Sequence, residues 1–367
     1  MNRRDCKDLV RLAIDVARWA PSSHNSQPWR LAVDPGTDPE ICRIQVFLDE
    51  DRRLRALDSL TLEMELSLGM FLGLLSAGLR LLGLTGICIE ETQAGHPDRP
   101  PAVTVAVHKG RAVPGPDREW EEFVRLVQGR RTVRSAFSPE APPPEAVDAL
   151  LRRSWVWPGL DDGIDIRIIT GGTSCRSVAG LVERFAALDF THPAAWSETY
   201  RHIRFCAPGD PGVEDGFFVD SLTGPLSPLR RRLLRFGWSP PVMRLLAPLG
   251  FPARIARELA RLVEGTPGLL IASIAQPGSA RPGLIRAGAR LMEVWLNAQA
   301  SGIALHPLSV LVQHDQPRQA LSLLSGLSGR PVFVARLGRA LSAPPPSPRR
   351  PLDAIVPVRP AFPGFLP

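Results

Sequence analysis

The sequence predicts an α+β protein whose architecture occurs twice along one chain. Three observations carry this expectation. Helical and strand periodicities alternate along the chain. One order of elements (a helix, a pair of strands, a long apolar helix, a further strand) comes round a second time. The length of 367 residues, 44% of them hydrophobic, offers apolar surface enough for one large domain or two ordinary ones.

In the first half, Leu9, Leu12, Ala13, Val16 and Ala17 recur at helical spacing, and Pro21 stops that helix. "QPWRLAVD" and "CRIQVFLD" read as strands joined by the turn "PGTDPE". A long helix over residues 60–82 follows. Its apolar stretch Leu66–Leu79 is too short to span a bilayer and is flanked by Glu63, Glu65 and Arg80. Gly69 and Gly73 within it predict a buried helix packed closely on another. "AVTVAVHK" at 102–109 alternates as a strand.

The pattern then begins again. A charged helix over 117–128 leads into "GRRTVRSAF", and "SPEAPPPEAVDALLRRSW" gives a Pro-rich turn and a helix. "GIDIRIIT" at 163–170 is a strand, 173–188 a helix and "PGLLIASIAQ" at 267–276 a buried strand. "GLIRAGARLMEVWLNAQASGIAL" at 283–305 reads as a long helix, and "RPVFVARLG" at 330–338 as a strand. Residues 207–260 mix Pro, Gly, Arg and aromatics without a sustained period. They read either as a mobile lid over a site or as a solvated insertion. After residue 342 comes a Pro-rich tail, "SAPPPSPRRPLD".

The net charge of +7 comes from arginine, since lysine occurs only at Lys7 and Lys109. No basic run is interleaved with aromatics, which argues against a nucleic-acid partner. Cys6, Cys42, Cys88, Cys175 and Cys206 never form C-x-x-C. That argues against a disulfide framework or a metal site and fits a reducing cytoplasm. "MNRRDCKDLVRLAIDVARWA" is charged throughout, unlike a signal peptide. The expected setting is cytoplasmic, with no membrane partner.

Two short motifs carry the chemistry. "APSSHNSQPW" at 20–29 presents hydroxyls and amides, able to donate and accept around a planar ligand rich in ring nitrogens and carbonyls. Taken alone it is equally a turn satisfied on its own backbone, with His24 in a packing or solvent-side role. "RRTVR" at 130–134 sets three guanidinium forks and a hydroxyl together, as a phosphate requires. Taken alone it is a solvated basic face.

Together with "VWLNAQASGIALHPLS" and "RLGRA…PRRPLD", these segments resemble the FMN-dependent nitroreductase superfamily over most of the chain, with 207–260 outside the resemblance. Members of that family are usually homodimers in which the arginine segment of one subunit faces the "PS-x-x-N" segment of the other. Here the first half keeps "PSSHNSQPW" but has only "MNRRDCKDLV" in place of the arginine segment. The second keeps "RRTVR" but has "RRSWVWPGLDDG" in place of the turn. The resemblance therefore implies a dimer fused into one chain, as in the single-chain, Acg-like branch, with one flavin site kept and its twin decayed.

Several expectations follow from that resemblance. The fold is nitroreductase-like α+β: two fused halves, each a mixed β-sheet flanked by helices, around a central helix pair. Residues 1–115 form one half, 116–206 with 261–367 the other, and 207–260 an insertion or lid. Arg130, Arg131, Thr132 and Arg134 hold the phosphate and ribityl end of a noncovalent FMN. Pro21, Ser22, Ser23, Asn25 and Gln27 line the isoalloxazine. Pro307 and Leu308 approach it through backbone groups, and Arg349 and Arg350 complete the phosphate pocket. The implied activity passes a hydride through flavin N5 from NAD(P)H to a small organic acceptor, with no protein side chain named as catalytic. The alternatives are an FMN store with a covered site, or an FMN-dependent oxidase or dehydrogenase tailoring a natural product. The chain is expected to be a monomer with an internal pseudo-two-fold, its long helices meeting at Gly69, Gly73, Gly288 and Ala289.

Overall fold

The computed structural model describes residues 6–34, 41–90, 103–108, 117–153, 163–275 and 281–357. Helix α1 (Cys6–Ala17) buries Val10, Ala13, Ile14 and Ala17, one stripe at helical spacing. Strands β1 (Trp29–Asp34) and β2 (Ile41–Leu48) follow, then helix α2 (Leu60–Leu81), β3 (Thr85–Glu90) and β4 (Val103–His108). They form an antiparallel sheet in the order β1-β2-β4-β3. The expected turn "PGTDPE" lies outside the described residues, as do residues 154–162 of "RRSWVWPGLDDG".

The second half begins with α3 (Asp117–Gly129) and β5 (Ile164–Thr170). Helices α4 (Gly172–Phe185) and α5 (Phe251–Glu264) bracket a helical segment that leads to β6 (Gly268–Ile274). Helix α6 (Arg281–Ala300), β7 (Ala304–Pro307) and β8 (Arg330–Gly338) complete it. This sheet runs β5-β6-β8-β7. Counted within each half, both sheets place their strands first, second, fourth, third, with the long helix between second and third. Every pairing of these strands is antiparallel. The expected mixed character is absent from both sheets: parallel pairing among the described residues is confined to the bridge Thr132 to Leu305 and to a separate pair, Ile203–Arg204 with Phe217–Phe218.

The two long helices cross at the centre. A Cβ on Gly69 would lie 2.1 Å from the Ile285 carbonyl oxygen and 2.9 Å from Gly288 Cα, and one on Gly288 would lie 2.2 Å from the Leu66 carbonyl oxygen. Only glycine permits that backbone approach. Gly73 meets Ala289 less tightly, at 3.1 Å. Helix α2 is long and apolar enough to cross a bilayer, yet its apolar window is 89% buried inside the protein. A helix apolar all round is what a core between two layers requires. That core is continuous, joining Leu31, Ile44 and Val105 of one sheet to Leu270, Ala272 and Leu337 of the other.

Two readings of the sequence need correction. Helix α6 stops at Ala300 instead of continuing to 305. Gly302 turns the chain at φ 69°, and Ala304–Pro307 joins β8 as a strand. Residues 207–260 are not irregular: they contain helices Asp220–Thr223, Pro228–Gly237 and Pro240–Leu246, and then the start of α5. Pro228, Pro240 and Pro252 each sit in a first helical turn, where the missing N–H costs nothing. Residues that read as breakers are helix starters. These helices gather on Trp196, Ile203, Phe217, Val219 and Met243.

Candidate active site

The segment after α1 is a tight, over-determined turn. Three of its non-glycine residues, His24, Asn25 and Gln27, hold φ near +50°, a left-handed conformation that side chains resist. Hydrogen bonds hold it there. Asn25 N–H donates to the Ser22 carbonyl (2.9 Å) and Ser26 N–H to that of Ser23 (3.0 Å). Gln27 N–H donates to Ser22 Oγ (2.9 Å). Strain of this kind gathers at functional sites because the surroundings must be built to enforce it.

The arginine segment is fixed just as firmly, as extended chain beside β7. Val133 N–H donates to the Leu305 carbonyl (3.2 Å). The fully buried Arg336 of β8 donates to the Arg134 and Ser135 carbonyls (3.2 and 3.0 Å) and to His306 Nδ1 (3.0 Å). Thr132 and Arg134 are thereby aimed into a cavity of about 310 Å³, lined also by Pro21, Ser22, Ser23, Pro307 and Leu308. Such a volume falls in the usual range for small-molecule sites. Leu66 and Met70 of α2, Trp295 of α6 and Phe217 from the helical segment supply apolar walls. Arg134 lies over the Phe217 ring, 4.8 Å from its centre.

Next to this cavity sits a cluster of buried positive charge. Arg130 stacks on Trp295 at 4.8 Å, and its Nη2 donates to the Trp19 carbonyl (3.5 Å). Arg349 donates to the same carbonyl (3.1 Å) and stacks on the Trp19 ring. Arg130 Nε and Nη1 and Arg349 Nε are buried with no hydrogen-bond partner. Burial, then Arg131, brings Arg130 down to about 9. Burial, followed by Arg130, Arg131 and Arg18, holds Arg349 well below the usual guanidinium range. Buried cations without counter-charge are costly, and the unpartnered Nε and Nη1 of Arg130, beside the unpartnered Nε of Arg349, suit a phosphate dianion. The residues present fit the phosphate end of FMN.

Six expected contact residues do not line the cavity: Arg130 and Arg349 lie beside it, Arg131 turns back to donate to the Gln128 and Arg130 carbonyls (2.6 and 2.9 Å), and Asn25, Gln27 and Arg350 bind elsewhere. Asn25 donates to the carbonyls of Gly216 and Pro348 (2.9 Å each) and accepts from Arg349 (2.9 Å). Gln27 donates to the Glu214 carbonyl (2.8 Å) and accepts from Arg350 N–H (2.9 Å). The Arg350 guanidinium is buried on the carbonyls of Gln27, Trp29 and Ala354 and lies 3.5 Å from Asp49. Buried amides and a buried guanidinium must satisfy their polar atoms, and here the backbone of distant segments does so. These three side chains tie the turn to residues 214–216 and to the tail.

With that geometry in hand, comparison with known proteins is informative. No protein-family model matches the chain. It is 35% identical over 361 residues to a probable NAD(P)H nitroreductase, PigM of a Serratia species, covering 94% of this chain and 92% of PigM. The chain belongs to the NAD(P)H nitroreductase family. The putative NAD(P)H nitroreductase Acg of Mycobacterium tuberculosis is 26% identical to this family member, with 96% of each chain covered. Among solved structures, the FMN-dependent nitroreductase NfnB of Mycobacterium smegmatis, in complex with NADPH, is 18% identical. The match covers 64% of this chain and 96% of that one, with a TM-score of 0.38.

One side chain of this nitroreductase-family cavity, Glu63, escaped the sequence reading, and a second, His24, takes the packing role expected of it. Glu63, in the first turn of α2, accepts a hydrogen bond from Ser23 Oγ and another from Gln313 Nε2 (2.7 Å). Burial pushes its carboxyl up to about 7, opposed by those two hydrogen bonds and assisted by nearby Asp189. It lines the cavity beside Ser23 and Gln313. A carboxyl poised near neutrality can hold or give a proton at ordinary pH. His24 stacks on His202 with ring centres 5.4 Å apart, and its Nε2 meets Thr199 Oγ1 at 3.3 Å. Burial, then His202 and Arg134, drives its pKa down to about 3, so the imidazole is neutral. The one sequence signal for Glu63 was a carboxylate at the head of an otherwise apolar helix.

Proposed function

We propose that this chain is an FMN-dependent oxidoreductase that passes electrons from NAD(P)H to a small organic acceptor. One observation carries the reading: Arg130 and Arg349 converge on the Trp19 carbonyl, with unpartnered buried nitrogens, beside a cavity to which both halves contribute. The names of the relatives, PigM and Acg, support the same activity. The repeated sheet order supports a fused dimer, with residues 1–115 as one half and 116–206 with 261–367 as the other, acting as a monomer with one FMN per chain. Residues 207–260, packed around Phe217, then form a fixed wall of the site.

Arg130, Arg131 and Arg349 bind the phosphate. Pro21, Ser22, Ser23, Thr132, Pro307 and Leu308 shape the ring pocket, and Arg134 sets positive charge within it. Bound FMN supplies hydride exchange at N5. Apolar walls from Leu66, Met70, Trp295 and Phe217 exclude water. Reduction of a nitro group to a nitroso group consumes two electrons and two protons and releases water. One proton accompanies the hydride, and Glu63 in its acid form gives the other to the acceptor oxygen, to be reprotonated from solvent. Ser23 and Gln313 orient that carboxyl.

Flavin stoichiometry and one spectrum test the reading. Heat-released FMN should equal one per chain in a protein of monomeric mass, and anaerobic NAD(P)H should bleach the bound flavin. A chain that takes up no FMN on reconstitution overturns the proposal. One FMN per two chains overturns the fused site alone. Flavin that binds but resists NAD(P)H points to a store, and peroxide release on substrate addition points to an oxidase.

A further inference from the structure

The outer face of residues 222–249 is unlike the rest of the surface. Six of the ten large apolar side chains exposed among the described residues lie there, including Leu229 (67%), Phe236 (70%), Leu245 (72%) and Leu249 (78%). In helix Pro228–Gly237 the inward side is accounted for. Arg231 pairs with the buried Asp220, and Leu234 packs beneath the helix with Trp238 just beyond its end. Leu229, Leu233 and Phe236, at i, i+4 and i+7, form one outward stripe exposed among the described residues. Exposed Arg230 and Arg232 flank that stripe, and Arg235 and Arg244 are exposed as well. Helix Pro240–Leu246 and the turn Ala247–Leu249 continue the surface with Leu245 and Leu249.

Charge decides what fits. Between Asp220 and Glu258 the sequence holds seven arginines and no Asp or Glu. A second copy of the chain set against this face would meet the same arginines with no carboxylate in the segment to answer them, and like charges at an interface repel. A surface of fixed negative charge above an apolar interior meets both demands. Arginines engage the charged headgroups while leucine and phenylalanine enter the acyl boundary.

We propose that residues 222–249 dock this protein on an anionic lipid bilayer, with Leu229, Leu233 and Phe236 inserted and Arg230, Arg232 and Arg235 on the headgroups. This adds a partner that the overall composition does not reveal, because the +7 net charge of the chain is concentrated where its carboxylates are missing. The same helices rest on Phe217, which walls the cavity. Docking therefore holds one wall of the cavity within a helix layer of the lipid.

Vesicle flotation of the purified full chain tests this. Vesicles of equimolar phosphatidylcholine and phosphatidylglycerol should carry the protein at low salt, and phosphatidylcholine alone should carry about tenfold less or weaker still. High salt should release part of it. Replacing Leu229, Leu233 and Phe236 together by Ser, or Arg230, Arg232 and Arg235 together by Gln, should each cut binding about tenfold or more. All six side chains point to solvent, so circular dichroism and melting should match the parent. Failure of the parent to float with anionic vesicles overturns the proposal, as does unchanged flotation of both triple variants. Concentration-dependent self-association that the Leu/Phe triple abolishes, without vesicle binding, assigns the face to a protein partner instead and likewise overturns it.

Discussion

The two halves share a frame and differ in what is hung on it. Each sheet runs first, second, fourth, third, and each long helix follows its second strand. In the first half the first two strands are separated by residues 35–40. In the second the corresponding stretch, 171–267, carries a helical layer of its own. The segments ahead of the first strand differ as sharply. One is a neutral turn with three left-handed residues, and the other is an extended run of arginines. The regular frame recurs while the segments around it differ. Both halves line the cavity, Pro21, Ser22 and Ser23 from one and Thr132, Arg134, Pro307 and Leu308 from the other.

The predictions put that division of labour under strain, and the largest effect is expected where the halves meet. Arg130→Ala with Arg349→Ala removes charge-assisted partners worth about 1.5–3 kcal/mol each. FMN retention on desalting should fall at least about a hundredfold, with the circular dichroism unchanged. A yellow double variant with full flavin content would separate the arginine cluster from the cofactor.

The crossing of the long helices comes next. Gly69→Ala drives a Cβ into the Ile285 backbone and should cost about 3 kcal/mol in denaturant unfolding. Gly73→Ala, whose Cβ would lie 3.1 Å from Ala289 Cα, should cost about 1 kcal/mol. Equal costs would mean that the central contact is looser than the glycines imply.

Asn25→Ala sharpens the comparison from the first-half side. It deletes three hydrogen bonds to Gly216, Pro348 and Arg349 and should cost about 2 kcal/mol. Hydrogen exchange should quicken at residues 214–218 and 347–350, while β3 and β4 stay protected. Uniform loss of protection would instead mark Asn25 as part of the global core.

The smallest effect is a pH dependence. Glu63 sits at about 7 in the folded state against an ordinary value of 4.5, so between those values the folded chain binds the extra proton. Its contribution to stability is full below pH 4.5 and is lost as the pH rises through about 7. Glu63→Gln should therefore gain about 1–2 kcal/mol over the parent above pH 7, with no difference near pH 4. In the enzyme the same change should flatten the alkaline limb of the acceptor half-reaction. A pH-independent difference would show that Ser23, Gln313 and Asp189 do not hold the carboxyl as described.

The frame was legible in the sequence because it is written in local periodicity. Alternation in "AVTVAVHK" and "GIDIRIIT", the stripe of α1 and the glycines of α2 and α6 each report their surroundings within a few residues. Pro21, Ser22, Ser23, Thr132 and Arg134 do line the cavity, but each motif alone reads as a turn or a basic face, and the family resemblance is what paired them. The partners of Asn25, Gln27 and Arg350 were not legible. Their side chains bind backbone carbonyls and N–H groups, which carry no residue identity and lie in distant stretches of chain. Glu63 was hidden because its raised carboxyl comes from burial, which depends on how distant segments pack, with Gln313, 250 residues away, among its neighbours. The helices after residue 227 were hidden by prolines that a linear reading takes for punctuation.

The ties from Asn25 to Gly216 and Pro348, spanning 191 and 323 residues, also set a timetable. A ribosome adding about 5–20 residues per second releases the turn at 21–27 tens of seconds before its last partners emerge. Until then the three left-handed residues have the hydrogen bonds within 22–27 but not their ties to Gly216 and Pro348, and the turn stays unanchored. The tail at 347–350 closes it like the final stitch of a seam. A message cut short before codon 348 yields a chain with every described strand of both sheets, but one whose Asn25 and Gln27 lack the Pro348 carbonyl and the Arg350 N–H that anchor the turn.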